Sequence, residues 1–294
     1  MSSLQHKIDF AVILTVNRAN PNGDPLNGNR PRMDYEGYGE ISDVCIKRKI
    51  RDRLIEAGHA IFVQSDDRKK DGMGSLKERA ESAKYGLGKD AFGDAKKRDA
   101  TARAACAKWF DVRAFGQLFA FKTEKKGKKK NEEDVDAGTT GVSIPIRGPV
   151  TIQSAFSVEP VSVSSIQITK SVSGEGDGSK RSSDTMGMKH RVDKGVYVFY
   201  GSINPQLAER TGFSDADAEV IKSVLPKLFE NDASSARPEG SMAVENVFWW
   251  KHNSKSGQYS SARVHRSLIV HPDGSYTLSE EAIPGLACNL VEGF

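Results

Sequence analysis

The chain has 294 residues, 37% hydrophobic and 28% charged, with 43 Lys and Arg against 39 Asp and Glu for a net charge of +4. That composition supports a lean core in one elaborated domain or two small ones, and no run approaches the roughly 18 apolar residues of a membrane span. The opening Met1-Ser2-Ser3-Leu4-Gln5-His6 has no signal-peptide core, and Cys45, Cys106 and Cys288 lie far apart, so the expectation is a cytoplasmic chain without a disulfide framework.

Ile8, Phe10, Val12, Leu14 and Val16 share one face at period two, with Asp9 and Thr15 on the other. This predicts a strand with one buried face. Residues 17–40 form a long loop dense in Asn, Pro, Gly and Arg. Ser42 then caps a helix that Ile41 and Ile46 staple, that buries Ile46, Ile50, Leu54 and Ala57, and that Gly58 ends. Lys47, Arg48 and Arg51 fall off that stripe, where a ligand can meet them. Residues 59–110, with helical character near 99–110, are expected to be an insertion and not core. Extended segments resume at 114–121 and 142–157. Between them, 122–136 carries Lys125, Lys126, Lys128, Lys129 and Lys130 without any hydrophobic period, the mark of a surface loop.

Residues 161–172 read as extended and give way to Ser173-Gly174-Glu175-Gly176-Asp177-Gly178-Ser179, with a second arm at 185–192. A projecting hairpin over about 165–192 is therefore expected. Residues 196–203 are almost continuously apolar, as in a central strand buried on both faces. Asn204-Pro205 opens a short helix that stops at Gly212. Ser214 caps another, with Asp217 completing a capping box, a stripe running from Val220 to Phe229, and Pro226 inside it as a kink. Residues 242–252 and 263–270 are strand-like, and His271-Pro272-Asp273-Gly274 turns into 275–278. The order describes an α+β body with helices on one face of a largely antiparallel sheet.

Few patterns carry chemistry. No Cys/His cluster has zinc spacing, and neither a Gly-Lys-Ser/Thr phosphate loop nor a Gly-x-Ser-x-Gly elbow occurs. His252, His265 and His271 fall in or beside strands and read as hydrogen-bonded structural residues. Asp24, Asp34 and Asp43 are grouped acids of the kind that hold Mg²⁺, but a turn and a helix dipole account for Asp24 and Asp43. Lys194 to Tyr200 partly matches an aromatic RNA-stacking strand, a pattern that a buried central strand explains more simply. Adjacent Trp249 and Trp250 face opposite sides of a strand, leaving one for the core and one to stack or meet an interface. The charges say more. Lys47, Arg48, Lys49, Arg51 and Arg53 crowd one helix, and clustered cations attract polyanions.

The ordered set Asn20-Pro21-Asn22-Gly23-Asp24-Pro25, Asn29-Arg30-Pro31-Arg32 and Ser42-Asp43-Val44-Cys45-Ile46-Lys47-Arg48-Lys49-Ile50-Arg51 resembles the RNA-coating backbone subunit of CRISPR Cascade complexes, the Cas7 family in its type I-C (Csd2) branch. Phe110-Asp111-Val112-Arg113-Ala114-Phe115-Gly116 resembles its Asp-Val-Arg-x-Phe-Gly signature, and Ile146-Arg147-Gly148-Pro149-Val150 its Gly-Pro-Val strand. Gly187-Met188-Lys189-His190, Tyr197, Asn204-Pro205, Leu228-Phe229-Glu230 and Ser235-Ala236-Arg237 continue the match. Asn231-Asp232 departs from it, standing where the family has a His-Asp pair.

The resemblance implies an RRM-like (ferredoxin-like) antiparallel-sheet palm, a helical insertion over 59–110 and a β-hairpin thumb, in one domain spanning 1–294. It implies a non-catalytic protein without a cofactor that stacks head to tail with copies of itself on a CRISPR RNA. It joins other Cascade subunits and presents the guide to target DNA. Such a protein must grip phosphates and leave base edges free. Motif matching assigns Lys47, Arg48 and Arg51 to the guide backbone, with Arg18, Arg30 and Arg32 beside them and Asn20 and Asn22 in the same loop. The resemblance makes Met186 or Met188 the wedge between bases, with Lys170, Lys189 and His190 expected at the adjacent phosphates and Lys125, Lys126, Lys128, Lys129 and Lys130 expected to meet target DNA. Two enzymatic alternatives stay open: a metal-dependent ribonuclease of the type III kind using Asp24 or Asp34, and a transcript-processing endonuclease using His190.

Overall fold

The computed structural model describes residues 2–121, 142–170 and 186–294. The Lys-rich stretch 125–130 and the Gly/Ser tract 173–179 lie outside the described residues. In chain order the regular elements are β1 (Ile8–Ala19), β2 (Gly23–Asp24), β3 (Arg30–Pro31), β4 (Tyr38–Ile41), α1 (Asp43–Glu56), α2 (Leu76–Glu81), α3 (Arg98–Lys108) and α4 (Phe110–Phe115). Then come β5 (Gly116–Ala120), β6 (Ser143–Arg147), β7 (Val150–Ile152), β8 (Ala155–Pro160), β9 (Val163–Thr169) and β10 (Met186–Ile203). The rest are α5 (Pro205–Thr211), α6 (Asp215–Val224), β11 (Met242–Lys251), α7 (Ser261–Arg266), β12 (Leu268–Val270), β13 (Tyr276–Leu278) and β14 (Cys288–Glu292).

A large antiparallel sheet organises the chain, in the order β14-β11-β1-β10-β8-β4. The long β10 is its spine. β1 pairs along one edge from Ile8↔Ile203 to Ala19↔Val192, while β7, β8 and β9 follow one another along the other. The alternation at 8–16 places Phe10, Val12, Leu14 and Val16 against α1 residues Ile46, Ile50 and Leu54 and α6 residue Ile221 in the main core. The opposite face, expected to be polar, is buried too. Ala11 and Ile13 pack with Phe248, Trp250, Val264 and Leu268 under α7 and β12. Elements therefore cover both faces of the sheet, not one. Asp9 is enclosed there because Lys7 and His252 meet its carboxylate at 3.0 and 2.9 Å.

Several local expectations are corrected. Trp249 and Trp250 do face opposite sides, but both are buried, one in each core. Segment 263–270 is α7 followed by a three-residue strand, because the Ser260 hydroxyl caps the helix at the Arg263 amide. Segment 114–121 begins inside α4 and becomes strand only at Gly116. Pro226 does not kink α6. The α-helix stops at Val224 and Pro226 sits in a 3₁₀ turn, where its missing N–H costs nothing. The capping boxes and stops fare better: Ser214 and Asp217 bond reciprocally, and Gly212 ends α5 in the left-handed conformation.

The 59–110 segment has a core of its own. Phe62, Phe92, Cys106 and Trp109 pack with Phe119 of β5 and Ile144 of β6, with the Phe62 ring 4.8 Å from Trp109 and 5.0 Å from Phe119. This unit joins the sheet body along α1 and α6.

Candidate nucleic-acid interface

The loop after β1 is two locked turns. In the first, β2 and β3 pair, and the Asp24 carboxylate accepts from the Leu26 amide and lies 3.4 Å from Arg32. In the second, Asp34 Oδ1 accepts from the Glu36 and Tyr38 amides at 3.0 and 2.9 Å. Both acids thus shape turns. Asn22 braces the loop against α1, its Oδ1 accepting from the Ser42 amide and hydroxyl at 2.9 and 2.8 Å. Asn20 is buried and donates to the Asn29 carbonyl at 2.7 Å. Arg18 and Arg30 are exposed, and Arg18 holds a positive φ of 52°.

The face of α1 off the apolar stripe is less open than its spacing predicts. Lys47 pairs with Asp43 one turn earlier at 2.8 Å, and Arg48 forks onto Asp67 at 3.1 Å. Arg51 is only 14% exposed at its side chain. It donates to Asp111 at 3.0 Å and lies over the Phe115 ring. Asp111 in turn accepts from the Phe62 and Val63 amides, so this pair fastens the 59–110 unit to α1. Ala57, expected in the stripe, is exposed, and Ile55 is buried instead.

Sequence reasoning missed the junction at Lys49. Its ammonium is buried against the Asp232 carboxylate, which Arg237 also meets at 3.0 Å, and Arg237 reaches back to the Asn20 carbonyl. Burial pulls the Lys49 pKa down and outweighs the opposing pull of Asp232. The available signal was positional: Lys49 lies beside Ile50 in the stripe, and Asp232 falls in a motif that departs from the family pattern.

β9 and β10 form an antiparallel arm, paired from Val163↔Val192 to Thr169↔Met186. Directly opposed residues share a face. One face therefore carries Met186, Met188 and Gln167, with the two methionines 63% and 54% exposed. The other carries Lys189 beside exposed Ile166 and Ile168. His190 is buried at the arm's base with Nδ1 2.8 Å from the Ser165 hydroxyl. Lys170 directly follows β9.

These elements define an α+β protein centred on one large antiparallel sheet, with a braced cationic loop and a two-stranded arm exposing apolar side chains on both faces. The family model for CRISPR-associated protein Cas7 matches residues 6–282, and the chain belongs to that family. A protein of Haloferax volcanii described as CRISPR-associated protein Cas7 is 28% identical over 283 residues, covering 93% of this chain and 78% of the relative. Among solved structures, a chain of a "CRISPR RNA-guided surveillance complex, pre-nicking" is 18% identical with a TM-score of 0.47, covering 83% of this chain and 75% of that one. A chain of a "CRISPR RNA-guided surveillance complex" is 15% identical with the same TM-score, covering 97% and 88%.

Proposed function

We propose that the chain is a non-catalytic CRISPR RNA-binding backbone subunit of a type I-C Cascade surveillance complex, stacking along the guide and presenting it to target DNA. Membership of the Cas7 family carries this reading. On it, the main sheet is the RRM-like palm, 59–110 the helical insertion and the β9–β10 arm the thumb. Met186 and Met188 are its wedges, an assignment supported by two large apolar side chains left in solvent on one face. A soluble domain has little reason to expose such a pair unless something covers it.

Arg18, Arg30, Lys189 and Lys170 are the cations proposed to follow the RNA backbone. Arg32, Lys47 and Arg48 join them by exchanging an intramolecular carboxylate for phosphate, at the cost of a surface pair worth little in water. Arg51, Asn20, Asn22 and His190 then act from behind, holding the loop and arm in place. The engagement of Asp24 and Asp34 by backbone amides supports a scaffold over a metal-dependent nuclease. Coexpression with a CRISPR array transcript tests the reading: the purified protein carries uncut RNA of the transcript. Protein free of RNA, or transcript cleaved at unique sites, contradicts it.

A further inference from the structure

Tyr35 is fully exposed at the tip of the second turn, flanked by exposed Asp34 and Glu36. The turn is rigid: the Asp34 amide donates to the Tyr38 carbonyl at 2.9 Å, and the Gly37 carbonyl accepts from the Val161 amide at 3.0 Å. A large aromatic side chain is thus held in solvent by a preorganised backbone, between two carboxylates. Negative charge on both sides makes the knob a poor contact for phosphate and a good one for a cationic protein surface.

The same chain carries such a surface. A cleft of about 640 Å³ opens between α3, α4, α5 and α6. Its acids are already neutralised, Asp217 by Arg113 at 2.8 Å and Glu209 by Lys255. Arg103 and Arg210, both exposed, have no ion pair with the described residues, and His59 forms part of the wall. The cleft is left with positive charge that nothing within the described residues answers.

Knob and cleft lie well apart along the spine. Tyr38 pairs with Pro160, three residues beyond the Ser157↔Tyr197 pair, which puts the turn near Lys194, midway along β10. The cleft includes Ser214, which bridges Ser3 just before β1 and so lies beyond the Ile203 end. At ~3.3 Å per residue the separation is roughly 30 Å. Complementary patches on two separate surfaces of one chain make a heterologous contact, which extends into an open array instead of closing on a dimer.

We propose that the Asp34-Tyr35-Glu36 turn of one copy seats in the Arg103–Arg210 cleft of the next, Tyr35 filling the cleft and Glu36 meeting an arginine. The proposal names the partner contact within the stacked array inferred above and rests on that reading for its purpose, but the contact itself is measurable without RNA.

The test is a charge exchange on the full-length chain. Self-association is followed by sedimentation velocity at low salt without RNA. In parallel, affinity is measured for an RNA short enough to hold one copy. Tyr35→Ala, Glu36→Arg and Arg210→Glu each weaken copy-to-copy association by roughly tenfold or more while one-copy RNA affinity stays at the wild-type level. Combining Glu36→Arg with Arg210→Glu recovers most of the loss. Single variants that associate like the wild type, or a combined variant that recovers nothing, overturn the contact. Loss of one-copy RNA affinity in Arg210→Glu alone also overturns it and assigns the cleft to phosphate. Association by the predicted contact in a chain that binds no RNA sustains the contact and removes the RNA reading.

Discussion

The ammonium of Lys49 and the carboxylate of Asp232, 183 positions apart in sequence, meet as a buried ion pair that Arg237 completes. Through Arg237 and the Asn20 carbonyl the pair connects α1, the 232–237 turn and the base of the first loop. Two cations, Lys49 buried and Arg237 partly exposed, share one carboxylate, so the arrangement depends on that carboxylate more than on either cation.

Asp232→Asn therefore leaves the buried Lys49 ammonium uncompensated and strips Arg237 of its partner, and lowers unfolding stability by about 3–5 kcal/mol. Lys49→Met leaves the Asp232–Arg237 pair intact and costs distinctly less. Urea denaturation of the three proteins measures the order. Equal losses in the two variants contradict the carboxylate-centred account.

Arg51 and Lys47 lie one helical turn apart and separate in the same way. Arg51→Gln strips Asp111 of its guanidinium partner and costs about 2–3 kcal/mol. Lys47→Gln removes a half-exposed pair within one helical turn and stays within about 0.5 kcal/mol. A joint Lys47→Glu and Arg51→Glu exchange consequently damages folding along with any RNA contact, so RNA loading of that variant is interpretable only beside its melting curve.

Met186→Ser with Met188→Ser removes apolar surface that packs on little within the chain. Thermal stability stays within about 0.5 kcal/mol of wild type, while the number of copies loaded on a long CRISPR RNA falls. Unchanged loading removes the arm's methionines from the interface.

Asp9, His252 and His265 form a buried cluster between β1 and α7 that the partly exposed Lys7 reaches. Burial holds the His265 pKa below that of a free imidazole, outweighing the pull of Asp9. The unfolded chain then binds the extra proton, so stability is full above about pH 6.5 and declines as pH falls below it. Burial pushes the Asp9 pKa up, but hydrogen bonds from His252, Ser261 and Lys7 outweigh it and leave the carboxyl low. Its contribution persists to about pH 4 and is lost below. Melting temperature should thus fall in two stages on acidification, and His265→Asn should flatten the first. A wild-type melt that is level from pH 7.5 to 5 contradicts this assignment.

How much the sequence disclosed differs from element to element. Period two at 8–16 and the caps at Ser42 and Ser214 are local signals, and the corresponding elements formed where they point. The second buried face of β1 was hidden because its residues there include Asp9 and Thr15; Asp9 is tolerable inside through Lys7 and the distant His252 and Ser261. Lys49 and Arg51 read as surface charges because their partners, Asp232 and Asp111, are 183 and 60 positions away. The cationic character of the loop and the methionines of the arm were legible. Which cations have internal carboxylates was set by tertiary contacts that no spacing encodes.

The central claim is that many copies of this chain coat one guide. Ribonuclease treatment of the chain purified with a CRISPR array transcript, followed by sizing of the protected RNA, tests it directly. Stacked copies that each cover a fixed length predict a ladder of fragments growing by one constant step. A single short protected fragment, or none, contradicts the account.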